Sequence, residues 1–184
     1  MSARSAQPEP LQGPLIPGKG HRVAVTTDGA GASITWSFAP AVVALMLYWI
    51  LAPPVSGDKD GSEFTLVLSL GGVPHPTGYP IYSLLGNLFV SLAHTLHLSW
   101  PTAANAWSGL GGAVAVFFFH ALSMRLILGF FTMRSGMRFA ISLLPTVLFA
   151  LNPIWTYETT LAEVYSWQIA WTVGLLYFFT SLVR

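Results

Sequence analysis

The segment Asp58–Tyr82, DKDGSEFTLVLSLGGVPHPTGYPIY, holds three carboxylates and a histidine directly after a hydrophobic run, Ile34–Pro53. Charge is scarce in this chain, so acids gathered there make either a reactive loop or a docking surface. A carboxylate partly desolvated beside a bilayer has a raised pKa and can take a proton from a hydroxyl as a general base. Asp60 and Glu63 are the candidate pair, and Asp58 reads as a solvated neighbour. Glu63 suits the start of a helix equally well, where an acid complements the dipole. His75 stands in PHPTGYP, where Pro74, Pro76 and Pro80 restrain the backbone and Gly78 permits a turn. An imidazole held there can face a phosphate or bond its own turn. Glu163, in LAEVY, opens the last apolar run and either approaches Asp60 to complete a metal or acceptor site or serves as a helix-start acid.

His120 is a different case, because an ionisable group inside an apolar run is a functional candidate by default. Its imidazole suits a haem or chlorophyll metal, or a hydrogen bond to a neighbouring helix. FFFHALSMR offers no second ligand. Gly109, Gly111 and Gly112 precede it by two to three turns and allow close helix packing, which places this run at the centre of a bundle.

The elements that must position these groups are set by composition. Of 184 residues, 53% are hydrophobic and 8% charged, with a mean hydropathy of +0.61. Water-soluble domains carry about 25% charged residues, so the chain reads as an all-α integral membrane protein. A net charge of +1 gives no reason to expect nucleic acid. Cysteine is absent, which removes disulfides and thiol chemistry. No Walker loop, GxGxxG, HExxH or nucleophile elbow occurs. Residues 1–33, rich in Pro, Gly and polar side chains, cannot hold a core and read as an extended tail. The domain division is therefore a cytoplasmic tail, 1–33, and a transmembrane helical domain, 34–184.

Four runs are long enough for the roughly 20 residues a span needs: Ile34–Pro53, Thr102–Gly129, Phe139–Tyr157 and Leu161–Val183. Pro145 and Asn152-Pro153 interrupt the third. In Pro80–His97, Ser83, Asn87, Ser91 and His94 form one polar stripe, the pattern of a helix lying in the interface or packed under others. With four spans, seven of the eight Lys/Arg share a side with the N-terminus, and five of the seven acids fall opposite. The positive-inside rule then places the N-terminus in the cytoplasm. Tyr48, Trp49, Trp155, Tyr157, Tyr165 and Trp167 gather toward the acidic face, as an interfacial belt would.

The order DGSEF, LGGVPHPTGYPIY, then ALNPIWTYETTLAEVYSWQ resembles a family of multi-spanning, mostly bacterial membrane proteins that includes the animal O-mannosyltransferase acting on plexin-type receptors. Its members read DSGEF, LGVAHPPGYPLY and ALSPxFW with AEVY. The layout is more distantly similar to lipid-linked-sugar glycosyltransferases of the GT-C class, with two juxtamembrane helices in the first external loop. The resemblance covers roughly residues 34–184. It implies Asp60 as general base with Glu63 beside it, His75 facing phosphate or pyrophosphate, and Tyr79, Tyr82, Glu163 and Tyr165 lining a substrate pocket. It also implies a polyprenyl-phosphate sugar donor and no other cofactor or resident metal. Family members are longer, so a chain ending at Arg184 reads as a truncated GT-C-like scaffold. Its expected role is an accessory subunit of a larger complex in the inner (cytoplasmic) membrane, with bilayer and other membrane subunits as partners and residues 1–33 as a contact arm. The alternative is all or part of the glycosyltransferase.

Overall fold

In the computed structural model, residues 34–57, 60–76, 78–130 and 133–183 are described. The expected tail, Asp58, Lys59 and Arg184 lie outside them. Seven helices are present among the described residues: α1 Phe38–Leu51, α2 Asp60–Leu70, α3 Pro80–Thr95, α4 Trp100–Phe130, α5 Ser135–Ala150, α6 Pro153–Thr160 and α7 Tyr165–Leu182. The described residues contain no strand.

Two segments are long and apolar enough to cross a membrane, Ile34–Leu51 and Trp100–Ile127. A third exists if α5 and α6, bent by 67° at their junction, count as one broken span. Among the described residues, two candidate spans, or three with the bent pair, are thus found where the hydropathy suggested four. Asn152-Pro153 makes the break. The Asn152 side-chain oxygen Oδ1 accepts from the N–H groups of Ile154 and Trp155 at 3.0 and 3.2 Å, capping α6 as Pro153 starts it. Pro145 sits inside α5 without ending it. The last run begins its helix only at Tyr165, on a polar turn that carries Gln168, and Leu161–Val164 is a connector.

Helix α4 is the axis of the bundle and packs against each of the other six helices. Its small residues make that possible. A methyl group built on Gly112 would come within 2.6 Å of Thr159, and one on Gly111 within 2.8 Å of Ser166 and Trp167. His120 then ties three elements together at full burial: Ser37 Oγ lies 2.9 Å from its Nδ1 and Ser142 Oγ 2.9 Å from its Nε2. Both ring nitrogens are engaged, so ligation of a haem or chlorophyll metal would first break one of these bonds.

One expectation changes in three dimensions, and one open alternative is decided. Tyr48 and Trp155 are internal struts instead of interfacial anchors. The fully buried Tyr48 hydroxyl donates to the Ala150 carbonyl at 2.9 Å and accepts from Trp155 Nε1 at 2.9 Å. Trp167 likewise turns inward, its ring tilted against Trp107 with centroids 4.2 Å apart and its Nε1 donating to the Trp107 carbonyl at 3.1 Å. Tyr157 and Tyr165 remain exposed. In α3, the polar stripe begins inward: Ser83 is buried, and Asn87 donates to the Leu68 carbonyl of α2 at 2.7 Å. Ile81, Leu84, Leu88 and Leu92 face outward. That is packing under other helices with an apolar outer face, not a polar face turned to water.

Candidate functional site

The acidic turn belongs to α2, whose first turn contains Asp60 and Glu63. Asp60 is exposed, as the helix-opening residue. Glu63 is reached by the loop after α2. The His75 N–H donates to Glu63 Oε1 at 2.7 Å, and His75 Nδ1 lies 3.1 Å from Oε2. The contact is half exposed, each side chain being 40% accessible. The donated N–H, then the ring nitrogen, hold the Glu63 carboxyl below its ordinary range. The imidazole therefore bonds the acid of α2, not its own turn.

Phe64, the next residue, is the buried hub beneath this contact. Its ring centroid lies 5.8 Å from His75, 6.0 Å from Tyr79 and 5.4 Å from Tyr82. Tyr79 precedes Pro80 with φ 36°, a left-handed conformation rare for a bulky residue and costing on the order of 1–3 kcal/mol. Gly78, at φ 75°, turns the chain into it. The strained turn sets the Tyr79 ring edge-on to His75, with centroids 6.2 Å apart.

The opposite wall is the connector between α6 and α7. Ser108 of α4 clamps its backbone: the hydroxyl donates to the Glu163 carbonyl and accepts from the Glu163 N–H, each at 3.0 Å. Glu163 is thereby buried, its Oε1 3.8 Å from the point where a Gly61 methyl group would sit. Gly61 follows Asp60 immediately, so Glu163 approaches the acidic turn through the side of α2 that lacks a side chain. Burial pushes the Tyr82 phenol up, the neighbouring Ser108 draws it partly back, and the Glu163 carboxylate adds to the rise. The phenol stays protonated as a donor, although its hydroxyl closes no hydrogen bond of good geometry. Tyr165 is exposed within electrostatic reach of Glu163, Glu158, Tyr79 and Asp60. The seven sequence-derived candidates thus share one region around the start of α2. Among the described residues, no three His, Asp or Glu are grouped to hold a metal ion.

Grooves flank this region. One of ≈ 530 Å³ runs between α3 and α7, with Tyr79, Tyr82, Gln168 and Trp171 among its lining residues. Through Trp167 and Trp171 it meets an apolar groove of ≈ 320 Å³ between α4 and α7. A third, ≈ 540 Å³, lies on the other side of α7 and includes Asn152, Glu158, Tyr165 and Gln168. Sequence reasoning missed Ser108, Phe64, Gln168 and Trp171. Ser108 sits in a run of small residues that reads as packing alone, and Gln168, a polar side chain five residues after Glu163 inside an apolar run, was the signal available.

Fold and geometry together define an all-helical chain of the membrane-protein class, with an acidic and aromatic cluster beside its candidate spans. Residues 60–183 match the family model described as the protein O-mannosyl-transferase TMEM260 N-terminal domain, and the chain belongs to that family. It is thereby related to glycosyltransferases. No curated protein and no solved structure gave a match.

Proposed function

We propose that this chain supplies the first-loop carboxylates and part of the donor groove of a membrane glycosyltransferase with a GT-C-like layout, moving a sugar from a polyprenyl-phosphate donor to an acceptor hydroxyl. One observation carries the reading: the Asp60–Glu63 turn and the Glu163 connector, some hundred residues apart in sequence, meet at Gly61. Family membership supports the reaction class.

In this mechanism Asp60, exposed at the helix start, takes the proton of the acceptor hydroxyl as its oxygen attacks the anomeric carbon. The bond from that carbon to the phosphate oxygen breaks, and the polyprenyl phosphate leaves. Glu63 and His75 hold the loop across the site, with the imidazole on the phosphate side. Tyr79, Tyr82 and Tyr165 border the sugar. The apolar groove between α4 and α7 suits the isoprenoid chain, because its continuation toward α3 gains the hydroxyls and amide that a sugar head requires. The site faces away from the cytoplasm if the N-terminus is cytoplasmic and the bent pair and α7 each cross, which restores four spans.

Transfer from a radiolabelled polyprenyl-phosphate mannose, by membranes expressing the full chain, tests this. Asp60→Asn should abolish transfer with expression unchanged. Normal transfer by that variant sinks the assignment.

A second reading, an accessory subunit of a larger membrane assembly, is favoured by the exposed apolar residues of α3, α5 and α7, among them Leu84, Leu148 and Leu175. Lipid or partner helices would cover them, and residues 1–33 would serve as the contact arm. Under it, Asp60→Asn is silent and deleting residues 1–33 weakens co-purification with the partner chains.

A further inference from the structure

At the other end of α4 and α5, far in sequence from the acidic turn, Arg138 is 5% exposed. Its guanidinium reaches back to the first residue of its own helix, Nη2 donating to Ser135 Oγ at 3.1 Å. Neither Nε nor Nη1 has a hydrogen-bond partner. A buried cation with unmet donors is held only at a cost, unless an anion enters to meet them.

The start of α5 has the same need. Arg134 precedes the helix with extended backbone, and no side chain caps the first turn. The N–H groups of Met137 and Arg138 bond the Arg134 carbonyl at 3.0 and 3.1 Å. Those of Ser135 and Gly136 point off the end of the helix, where the dipole favours negative charge. There is room at Gly136: among the described residues, a methyl group built there meets nothing within 4 Å. Arg134, exposed, flanks the opening.

We propose that this helix start binds one phosphate group, and that the phosphate belongs to an anionic membrane lipid. The amides at the helix start and the Ser135 hydroxyl, backed by the guanidinium that bonds it, present donors and positive charge together, as a helix-terminal anion site does. The position selects the source. The apolar span Trp100–Ile127 ends just before this turn, at the depth where headgroups lie and where basic side chains attract acidic lipids. The site is independent of the acidic turn and of the glycosyl-transfer reading.

The full chain is purified in mild detergent and exposed to vesicles of phosphatidylcholine alone or with phosphatidylglycerol, and retained lipid is read by native mass spectrometry. Phosphatidylglycerol should be retained in about ten-fold preference. Arg138→Gln should remove the preference. Since that variant alters a buried residue, Arg134→Gln provides the second test. It removes the exposed cation that flanks the opening and leaves the bond between Arg138 and Ser135 in place. It should lower the preference several-fold with the unfolding midpoint unchanged. Equal retention of the two lipids, or a preference that survives both substitutions, overturns the site. Stabilisation by inorganic phosphate alone, equal to that by the lipid, overturns its assignment to a lipid.

Discussion

His75 holds Glu63 at two points, its backbone N–H 2.7 Å from one carboxylate oxygen and its Nδ1 3.1 Å from the other. This pins the Pro- and Gly-rich loop to the start of α2, and it makes the loop sensitive to the charge on Glu63.

The first prediction follows from the sign of that coupling. The contact lowers the Glu63 pKa below its ordinary 4.5, chiefly through the His75 N–H. A carboxylate depressed in the folded state stabilises the fold above its unfolded pKa, and the gain is lost as pH falls through the folded value. The unfolding midpoint of Glu63→Gln should therefore lie below wild type at neutral pH and converge with it on the acid side of 4.5. A gap that persists in acid rules out the ionised contact.

The Tyr48 hydroxyl joins α1 to the α5–α6 junction through Ala150 and Trp155. Tyr48→Phe should cost about 1–3 kcal/mol, because it strands a buried indole N–H and a carbonyl. Thermal unfolding in detergent measures it. An unchanged midpoint means that the junction is held by apolar packing alone.

Gly112 lets α6 approach α4, and an added methyl group would meet Thr159 at 2.6 Å. Overpacking of this kind costs about 1–3 kcal/mol. Gly112→Ala should accordingly lower stability. Gly136→Ala, placed in open space, should be neutral or gain up to about 1 kcal/mol from helix propensity. Equal effects of the two substitutions would contradict the packing at α4.

His120→Ala removes the bridges to Ser37 and Ser142 and leaves a cavity at a fully buried position. A loss of about 2–5 kcal/mol is expected, measured by the same unfolding assay. A haem-type spectrum in the native protein that disappears in this variant would assign the imidazole to a metal instead.

Composition and hydropathy by themselves determined the membrane class, the helical character and the placing of the apolar runs. They also located the break at Asn152-Pro153 and the acidic turn. These are local properties: an apolar stretch, a proline without an N–H and a cap-forming Asn act through near neighbours in sequence. Tertiary structure decided what such signals cannot carry. Tyr48 looks the same in sequence whether it anchors at an interface or bonds Trp155 from 107 residues away. The stripe of α3 could have faced water or a neighbouring helix until Asn87 found the Leu68 carbonyl. Glu163 meets the turn at Asp60 only because Ser108 clamps its backbone and Gly61 leaves room for its carboxylate. Such pairings depend on how closely distant segments approach, and that is set by packing around α4, not by any repeat along the chain.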